Sequence, residues 1–193
     1  METGVIIQLC IMGFTALISL GSLIYTIWKN RKTDEIREKV EKVQLDTIQA
    51  SALYENVKKA RIKFNDSLTN LTIKIKSNAS DQEIEESFLN TYNRYIDFFN
   101  EINDYCIMLD VGAINAKNYI ETTIKKNFSL FANIQVTTFE DLNLIAKKYN
   151  FDKIPKPEHN AFKEYDKFLK EWNGENSGFW TDLKTKRDRV GFE

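Results

Sequence analysis

One run of the sequence constrains the fold more than any other, because residues 5–28 contain no charged side chain. As an α-helix this run is about 36 Å long, at a rise of about 1.5 Å per residue, and a bilayer's hydrocarbon core is roughly 30 Å thick. Three cations, Lys29, Arg31 and Lys32, follow it directly. The pattern predicts a single transmembrane helix with a modest tilt.

The charges on the two sides of this predicted span differ in sign. Glu2 is the only charged side chain before it, whereas the basic membrane flank, Lys29, Arg31 and Lys32, follows it. The positive-inside rule places the C-terminal side in the cytoplasm. Because a small-residue cleavage site is absent, we expect the segment to be retained rather than removed as a signal peptide. The prediction is a single-pass protein of the cell inner membrane, with its N-terminus outside and its C-terminal domain cytoplasmic.

Hydroxyl and amide side chains recur along one face of the predicted span at heptad-related spacing. They are Gln8, Thr15, Ser19, Ser22 and Thr26. Such residues let a second membrane helix approach closely and bond to it, each bond contributing about 1 kcal/mol or less. Hydroxyls of this kind also bond to carbonyl groups of their own helix. The sequence favours neither interpretation, and the first predicts a helix-packing stripe.

The same register continues beyond the predicted membrane, at alternating spacings of four and three. Its members are Ile36, Val40, Val43, Thr47, Ala50, Tyr54, Val57, Arg61, Phe64, Leu68, Leu71 and Ile75. This heptad seam indicates one helix that ends near Lys76, and it is typical both of a coiled coil between chains and of packing within one chain. A following helix of about 30 residues covers only about 45 Å of it. Residues 33–47 are therefore predicted to form an exposed stalk.

The cytosolic part is predicted to be an antiparallel helical bundle. Ser80 and Glu83 form a capping-box pattern after a turn, and Gly112 is expected to close the second helix. The apolar face of that helix comprises Ile84, Phe88, Leu89, Tyr92, Tyr95, Phe98, Phe99, Ile102, Tyr105, Cys106 and Leu109. A face this wide predicts burial against the first cytosolic helix.

Four further segments complete the prediction. A third helix is expected from Asn115, and a separate fourth helix is expected to be capped by Thr137 or Thr138. A stiff linker with Pro155 and Pro157 follows, then helices over residues 160–172 and from Ser177, before a charged tail. The predicted domains are an anchor (1–32), a helical stalk (33–47), a helical bundle (48–150) and the proline linker with the C-terminal helices (151–193).

A hydrophobic motif in the second helix carries a resemblance. Residues 95–102 read YIDFFNEI, and they are followed by Gly112, Ile114 and a helix that ends near Phe128. This arrangement resembles a family of small, uncharacterised bacterial proteins with one N-terminal membrane span and a cytosolic all-helical domain. The likeness covers the span and roughly residues 80–133. It implies a fold and a location, and no particular activity.

Composition and motifs exclude several function classes. A net charge of −1 argues against a nucleic-acid binder, which usually has a basic excess. The chain has one histidine, His159, and its two cysteines, Cys10 and Cys106, are placed too far apart to be expected to bridge. No spacing matches a zinc site, a calcium loop or a phosphate-binding loop. We therefore predict no catalytic, cofactor-binding or metal-binding residues, and no cofactor.

Three functional hypotheses follow from these patterns. The leading one is a membrane-anchored, non-enzymatic protein that acts through protein contacts, with the lipid bilayer and either a second copy or a membrane partner protein as its partners. The second is a membrane effector of a bacterial stress or phage-defence module. The third is an enzyme with an unrecognised site between helices, which would require a deep polar pocket around Asn100, Glu101 or Asp104.

Overall fold

The structure, a computed structural model, describes residues 2–151 and 162–191, with side chains from Ser19 onward. Every regular element in these ranges is helical, which confirms the predicted all-α fold class. The elements are α1 (Glu2–Lys76), α2 (Asp81–Asp110), α3 (Lys117–Tyr119), a π-helical turn (Ile120–Ile124), α4 (Lys125–Tyr149), α5 (Lys163–Asn173) and α6 (Gly178–Val190). The chain divides into two compact units, Met1–Leu45 and Asp46–Glu193.

The first unit consists of the N-terminal part of α1. Its described side chains, from Ser19 to Leu45, are all exposed. Between Leu20 and Trp28 the apolar side chains are 48% to 60% exposed. From Lys29 onward charged residues predominate, with apolar residues returning at heptad spacing.

Within the second unit the apolar residues of the heptad seam of α1 are buried or partly buried, and Arg61 in the same register is exposed. Ala50, Val57 and Leu71 have no exposed surface, and Phe64 is 2% exposed. Phe64 stacks on Phe98 of α2 with 6.1 Å between ring centroids, so the apolar face predicted for α2 meets this seam. From Ala50 on, the seam therefore packs inside the chain.

A tight turn and a capping box connect α1 to α2, as predicted. α1 ends at Lys76, and Asn78 adopts a φ of 51° in the left-handed region, which Asn tolerates better than most residues. The Ser80 hydroxyl accepts a bond from the Glu83 N–H at 3.4 Å, while the Glu83 carboxylate accepts one from the Ser80 N–H at 3.1 Å. Two of the N–H groups at the start of α2 are thereby satisfied.

Small polar residues lie where α1 and α2 pack closely, and the sequence did not single them out. The Thr91 hydroxyl, which is fully buried, donates to the Ser67 carbonyl at 3.1 Å, and Asn70 donates to the Ser87 hydroxyl at 3.2 Å. Leu89, in contrast, was predicted to lie on the apolar face of α2 but is 52% exposed. The buried face of α2 therefore includes Ser87 and Thr91 and leaves Leu89 outside it.

The prediction of separate third and fourth helices is wrong. α3, the π-helical turn and α4 follow one another without a gap from Lys117 to Tyr149. The Thr137 hydroxyl, predicted to cap a new helix, donates to the Asn133 carbonyl at 3.1 Å one turn earlier. Because that bond satisfies the hydroxyl inside the helix, and no Pro or Gly interrupts residues 113–149, nothing ends the helix there.

Buried tyrosines join the helices of the bundle through their hydroxyls. Tyr95 of α2 donates to the Gln135 carbonyl of α4 at 3.0 Å, and Tyr165 of α5 donates to the Phe128 carbonyl of α4. Burial raises the pKa of both phenols well above the ordinary value of 10.0. The phenols therefore stay protonated and serve as structural donors.

The two C-terminal helices begin with different caps. Phe162, the N-cap residue of α5, makes no side-chain cap; instead the Asn103 side-chain oxygen of α2 accepts the N–H groups of Glu164 and Tyr165 at 3.2 and 3.1 Å. α6 is capped locally, because the Ser177 hydroxyl accepts the Trp180 N–H at 3.2 Å, which confirms the predicted start. A distant residue thus fixes α5, and a local one fixes α6.

Candidate functional surface

Three apolar residues of the heptad seam lie exposed on the first unit. Ile36, Val40 and Val43 are 55%, 49% and 61% exposed. We call these three residues the exposed stripe. They continue the register of the buried seam, and they lie inside the predicted stalk. These three residues therefore form an exposed apolar face on the first unit.

In the first unit, the charged residues beside the exposed stripe differ in sign from most of those on the opposite face of α1. Within the first unit the charged side chains at the heptad positions that flank the stripe, Lys32, Arg37 and Lys39, are cations, and we call them the basic flanks. Asp46, at the next flanking position beyond Val43, is the first residue of the second unit. The carboxylates of this segment lie farther round the helix: Asp34, Glu35, Glu38 and Glu41. Lys32 also lies over the Trp28 ring, with its Nζ 5.2 Å from the ring centroid. The stripe thus has an apolar centre and a basic border.

The helix-packing stripe predicted for the membrane is described only in part. Its residues Gln8 and Thr15 lie outside the side chains that the structure describes. Ser19, Ser22 and Thr26 are exposed, and the Thr26 hydroxyl donates to the Ser22 carbonyl at 2.8 Å. At Thr26, therefore, the hydroxyl bonds to its own helix.

The predicted membrane span falls mostly on residues without described side chains. Residues 5–18 of it lie outside that described set. Across the remainder of the chain that is described, no helix combines the length and the apolar character needed to cross a bilayer. The cations of its C-terminal flank, Lys29, Arg31 and Lys32, are exposed. The span stays a prediction of the sequence.

The polar residues named by the enzyme hypothesis lie in shallow grooves between α1 and α2. Asn100 and Glu101 line a groove of about 270 Å³, and Glu101 and Asp104 line a smaller one of about 70 Å³. In the larger groove Arg94 pairs with Asp97 at 3.1 Å. The described residues that line the two grooves include no Ser, Cys or His. The polar lining of these grooves therefore consists mainly of charged and amide side chains.

A wider cleft lies between the ends of α4 and α6, and no sequence motif indicated it. Its volume is about 610 Å³. Phe139, Leu144 and Val190 contribute apolar walls, and Glu140 and Arg189 form an ion pair across it at 2.8 Å. The volume is within the range of small-molecule sites. The ion pair neutralises both charges at its rim.

The charged C-terminal tail predicted from the sequence is instead helical, and one of its residues is buried. α6 continues to Val190, and Arg187 is 8% exposed. Its Nη1 contacts both Asp166 carboxylate oxygens, at 2.9 and 2.8 Å, and its Nη2 donates to the Gln135 side-chain oxygen at 2.8 Å. The guanidinium thereby joins α6 to α5 and α4. A buried cation needs such partners, and the sequence pattern does not reveal them.

Reactive side chains are scarce in the described residues. Cys106 is fully buried, and burial raises the pKa of its thiol well above 9.0, so the nucleophilic thiolate is disfavoured. His159 and the linker prolines, Pro155 and Pro157, lie outside the described residues. Within residues 19–151 and 162–191, no group of three or more His, Cys, Asp or Glu side chains is arranged to hold a metal ion.

Comparisons with known proteins identified no protein similar to this chain. The chain matches no protein-family model, no curated protein and no solved structure.

Proposed function

We propose that the protein is a membrane-anchored, non-enzymatic helical protein that acts through protein contacts, as a scaffold, sensor or accessory subunit. One observation carries this proposal. The heptad seam of α1 is covered by the chain's own helices from Ala50 on, whereas Ile36, Val40 and Val43 in the same register are about half exposed or more. Apolar residues that repeat every three and four positions are typical of a helix that pairs with another helix.

The anchor in this proposal is the uncharged run at residues 5–28. Its length, the cations Lys29, Arg31 and Lys32, and the aromatic pair Tyr25 and Trp28 at its end support a helix threaded through a bilayer. The same charges support an inner-membrane location with the second unit in the cytoplasm. The resemblance to small bacterial single-span proteins belongs to this proposal too.

The partners in this proposal are the bilayer and a second helix. The second helix belongs either to another copy of the chain or to a membrane partner protein, and it meets the packing stripe in the membrane and the exposed stripe beyond it. Continuity of one register through both segments supports a single contact along the same face. Neither nucleic acid nor a cofactor takes part.

Membrane extraction and crosslinking test the proposal on the full chain. In a Cys10→Ser, Cys106→Ala background, Val40→Cys places a thiol on the exposed stripe, and Glu38→Cys places a matched thiol on the opposite face. We expect the chain to require detergent for extraction. We also expect a thiol-specific crosslinker to join Val40→Cys, and not Glu38→Cys, to a second polypeptide in membranes. A chain that is soluble without detergent, or a Val40→Cys variant that yields only monomer, contradicts the proposal.

A further inference from the structure

The sign of the charges beside the exposed stripe specifies its partner more narrowly. With Val40 at heptad position a and Ile36 and Val43 at position d, Lys32 and Lys39 occupy position g and Arg37 occupies position e. Residues at e and g face the partner helix across the apolar seam and set the choice of partner. In the first unit beyond the predicted span, every charged residue at these positions is a cation; the first anion at position g is Asp46, where the second unit begins.

We propose that the exposed stripe binds an apolar helix of a different protein whose own e and g positions are acidic. This inference rests on the proposed function, since the anchor fixes the direction in which α1 leaves the membrane. Carboxylates on the partner would face Lys32, Arg37 and Lys39, while its apolar seam covers Ile36, Val40 and Val43. Opposite charges across a seam favour pairing, and like charges oppose it.

A second copy of the chain fits these charges less well. Two copies anchored in the same bilayer run parallel, and in a parallel pair position g of one helix faces position e of the other one turn on. Lys32 would then face Arg37 of the second copy, and the contact occurs twice. Because the repulsion is repeated at the start of the seam, the arrangement selects against self-pairing.

A lipid surface also fits less well, although anionic headgroups would accept the same cations. α1 is helical without a break from Glu2 to Lys76. A helix that crosses the bilayer and continues unbroken leaves the membrane plane, and it cannot lay residues 36–43 along that plane without a kink. Kinks occur mostly at Pro or Gly, and residues 22–76 contain neither.

The internal ion pair of this segment does not block such a partner. Arg37 Nε lies 2.8 Å from Glu41 Oε1, but the two side chains are 75% and 59% exposed. An exposed pair of this kind contributes little, because water screens both charges. A partner carboxylate that is partly shielded from water can therefore take over the guanidinium.

Two synthetic helices test the charge requirement on the full chain in detergent micelles. Both are three-heptad peptides with Ile at position a and Leu at position d; one has Glu at every e and g position, and the other has Lys there. We expect the Glu peptide to bind about tenfold more tightly or better at low salt, measured by fluorescence anisotropy. The difference should shrink at ~0.5 M salt, because screening weakens exposed charges.

Three variants identify the surface. Val40→Asp should abolish binding of the Glu peptide, and Glu38→Gln, on the opposite face, should leave it unchanged. The triple variant Lys32→Glu, Arg37→Glu, Lys39→Glu should reverse the preference, so that the Lys peptide binds more tightly. All five positions are exposed, so none of these changes alters the bundle core.

Each opposing result overturns the inference. Equal affinity for the two peptides, or binding unaffected by Val40→Asp, means that the basic flanks do not select the partner. Sedimentation that shows a dimer through the stripe, which the Glu peptide cannot dissociate, identifies a second copy as the occupant. Protection of Val40→Cys from a water-soluble maleimide by phosphatidylglycerol vesicles alone identifies lipid instead. The two failures are distinguishable, because detergent-dependent extraction from membranes tests the anchor of the proposed function, whereas peptide binding in micelles tests the charge requirement of the exposed stripe.

Discussion

Helix α1 presents one heptad pattern in two surroundings. In the first unit Val43 is 61% exposed, whereas in the second unit Val57, two heptads later at the same position of the register, has no exposed surface. The residue type and the local helix are the same. The difference teaches that heptad periodicity defines which face of a helix is apolar, while the covering elements decide whether that face adds to the stability of the fold.

The cations along the buried and exposed parts of the seam also differ in their surroundings. Arg61, on the buried part of the seam, stacks on the Phe131 ring, with its guanidinium carbon 5.1 Å from the ring centroid. Lys39, beside the exposed stripe, is solvated. Arg61 thus contributes to packing within the second unit, whereas Lys39 is exposed in the first.

The largest expected effect is that of Phe64→Ala in the buried seam. Phe64 is 2% exposed, stacks on Phe98 and meets Tyr95 edge-on. Losing the ring leaves a cavity between α1 and α2, and we expect the free energy of unfolding to fall by about 3–5 kcal/mol. Urea unfolding of the full chain in mild detergent, followed by circular dichroism, measures it. A loss below about 1 kcal/mol would show that α1 is not part of the cooperative core.

A matched pair of valine substitutions tests the comparison directly. Val57→Ala and Val43→Ala remove the same atoms from the same heptad position. The first should cost about 2 kcal/mol, because a buried side chain is lost, and the second at most about 0.5 kcal/mol. The same unfolding experiment measures both. Equal costs would mean that the first unit is covered in solution by a contact as extensive as that of the bundle.

The smallest expected effect is a change in the pH dependence of stability when the Glu83 carboxylate is removed. Bonds from Lys74, then from Ser80, lower the pKa of Glu83 from its ordinary 4.5 to about 2. A lowered pKa in the folded state adds stability above pH 4.5 that disappears as the pH falls toward 2. Glu83→Gln should therefore flatten the decline of unfolding free energy across that window, as followed by acid titration of urea midpoints.

The control for this change lies in the first unit. Glu41→Gln removes the carboxylate of an exposed i,i+4 pair, and we expect it to alter the unfolding free energy at neutral pH by at most about 0.5 kcal/mol. An unchanged acid profile in Glu83→Gln would show that the capping box contributes nothing to the pH dependence.

The elements that could be predicted were those with local signals. The end of α1 at Lys76, the Ser80–Glu83 capping box and the start of α6 at Ser177 each depend on a few neighbouring residues. Local signals also misled at Thr137, whose hydroxyl satisfies a carbonyl within α4. A cap and an in-helix bond use the same residue types, so the pattern does not distinguish them.

The candidate surface was predictable for a related reason. A run of apolar residues at heptad spacing is visible in the sequence, and a length argument predicted that residues 33–47, which include Ile36, Val40 and Val43, form a stalk; their exposure is read from the structure. The cleft between α4 and α6 had no such signal. Its walls come from two helices far apart in the chain, and only their packing brings Glu140 and Arg189 to 2.8 Å.

The sequence by itself determined that the described chain is helical, where the long first helix ends, and which face of that helix is apolar, because these depend on spacing and on neighbouring residues. The tertiary structure decided which part of that face is covered. It also decided that Arg187 lies in the core with Asp166, and that Asn103 of α2 caps α5. These outcomes depend on contacts between residues distant in the chain, and periodicity along one helix carries no record of them.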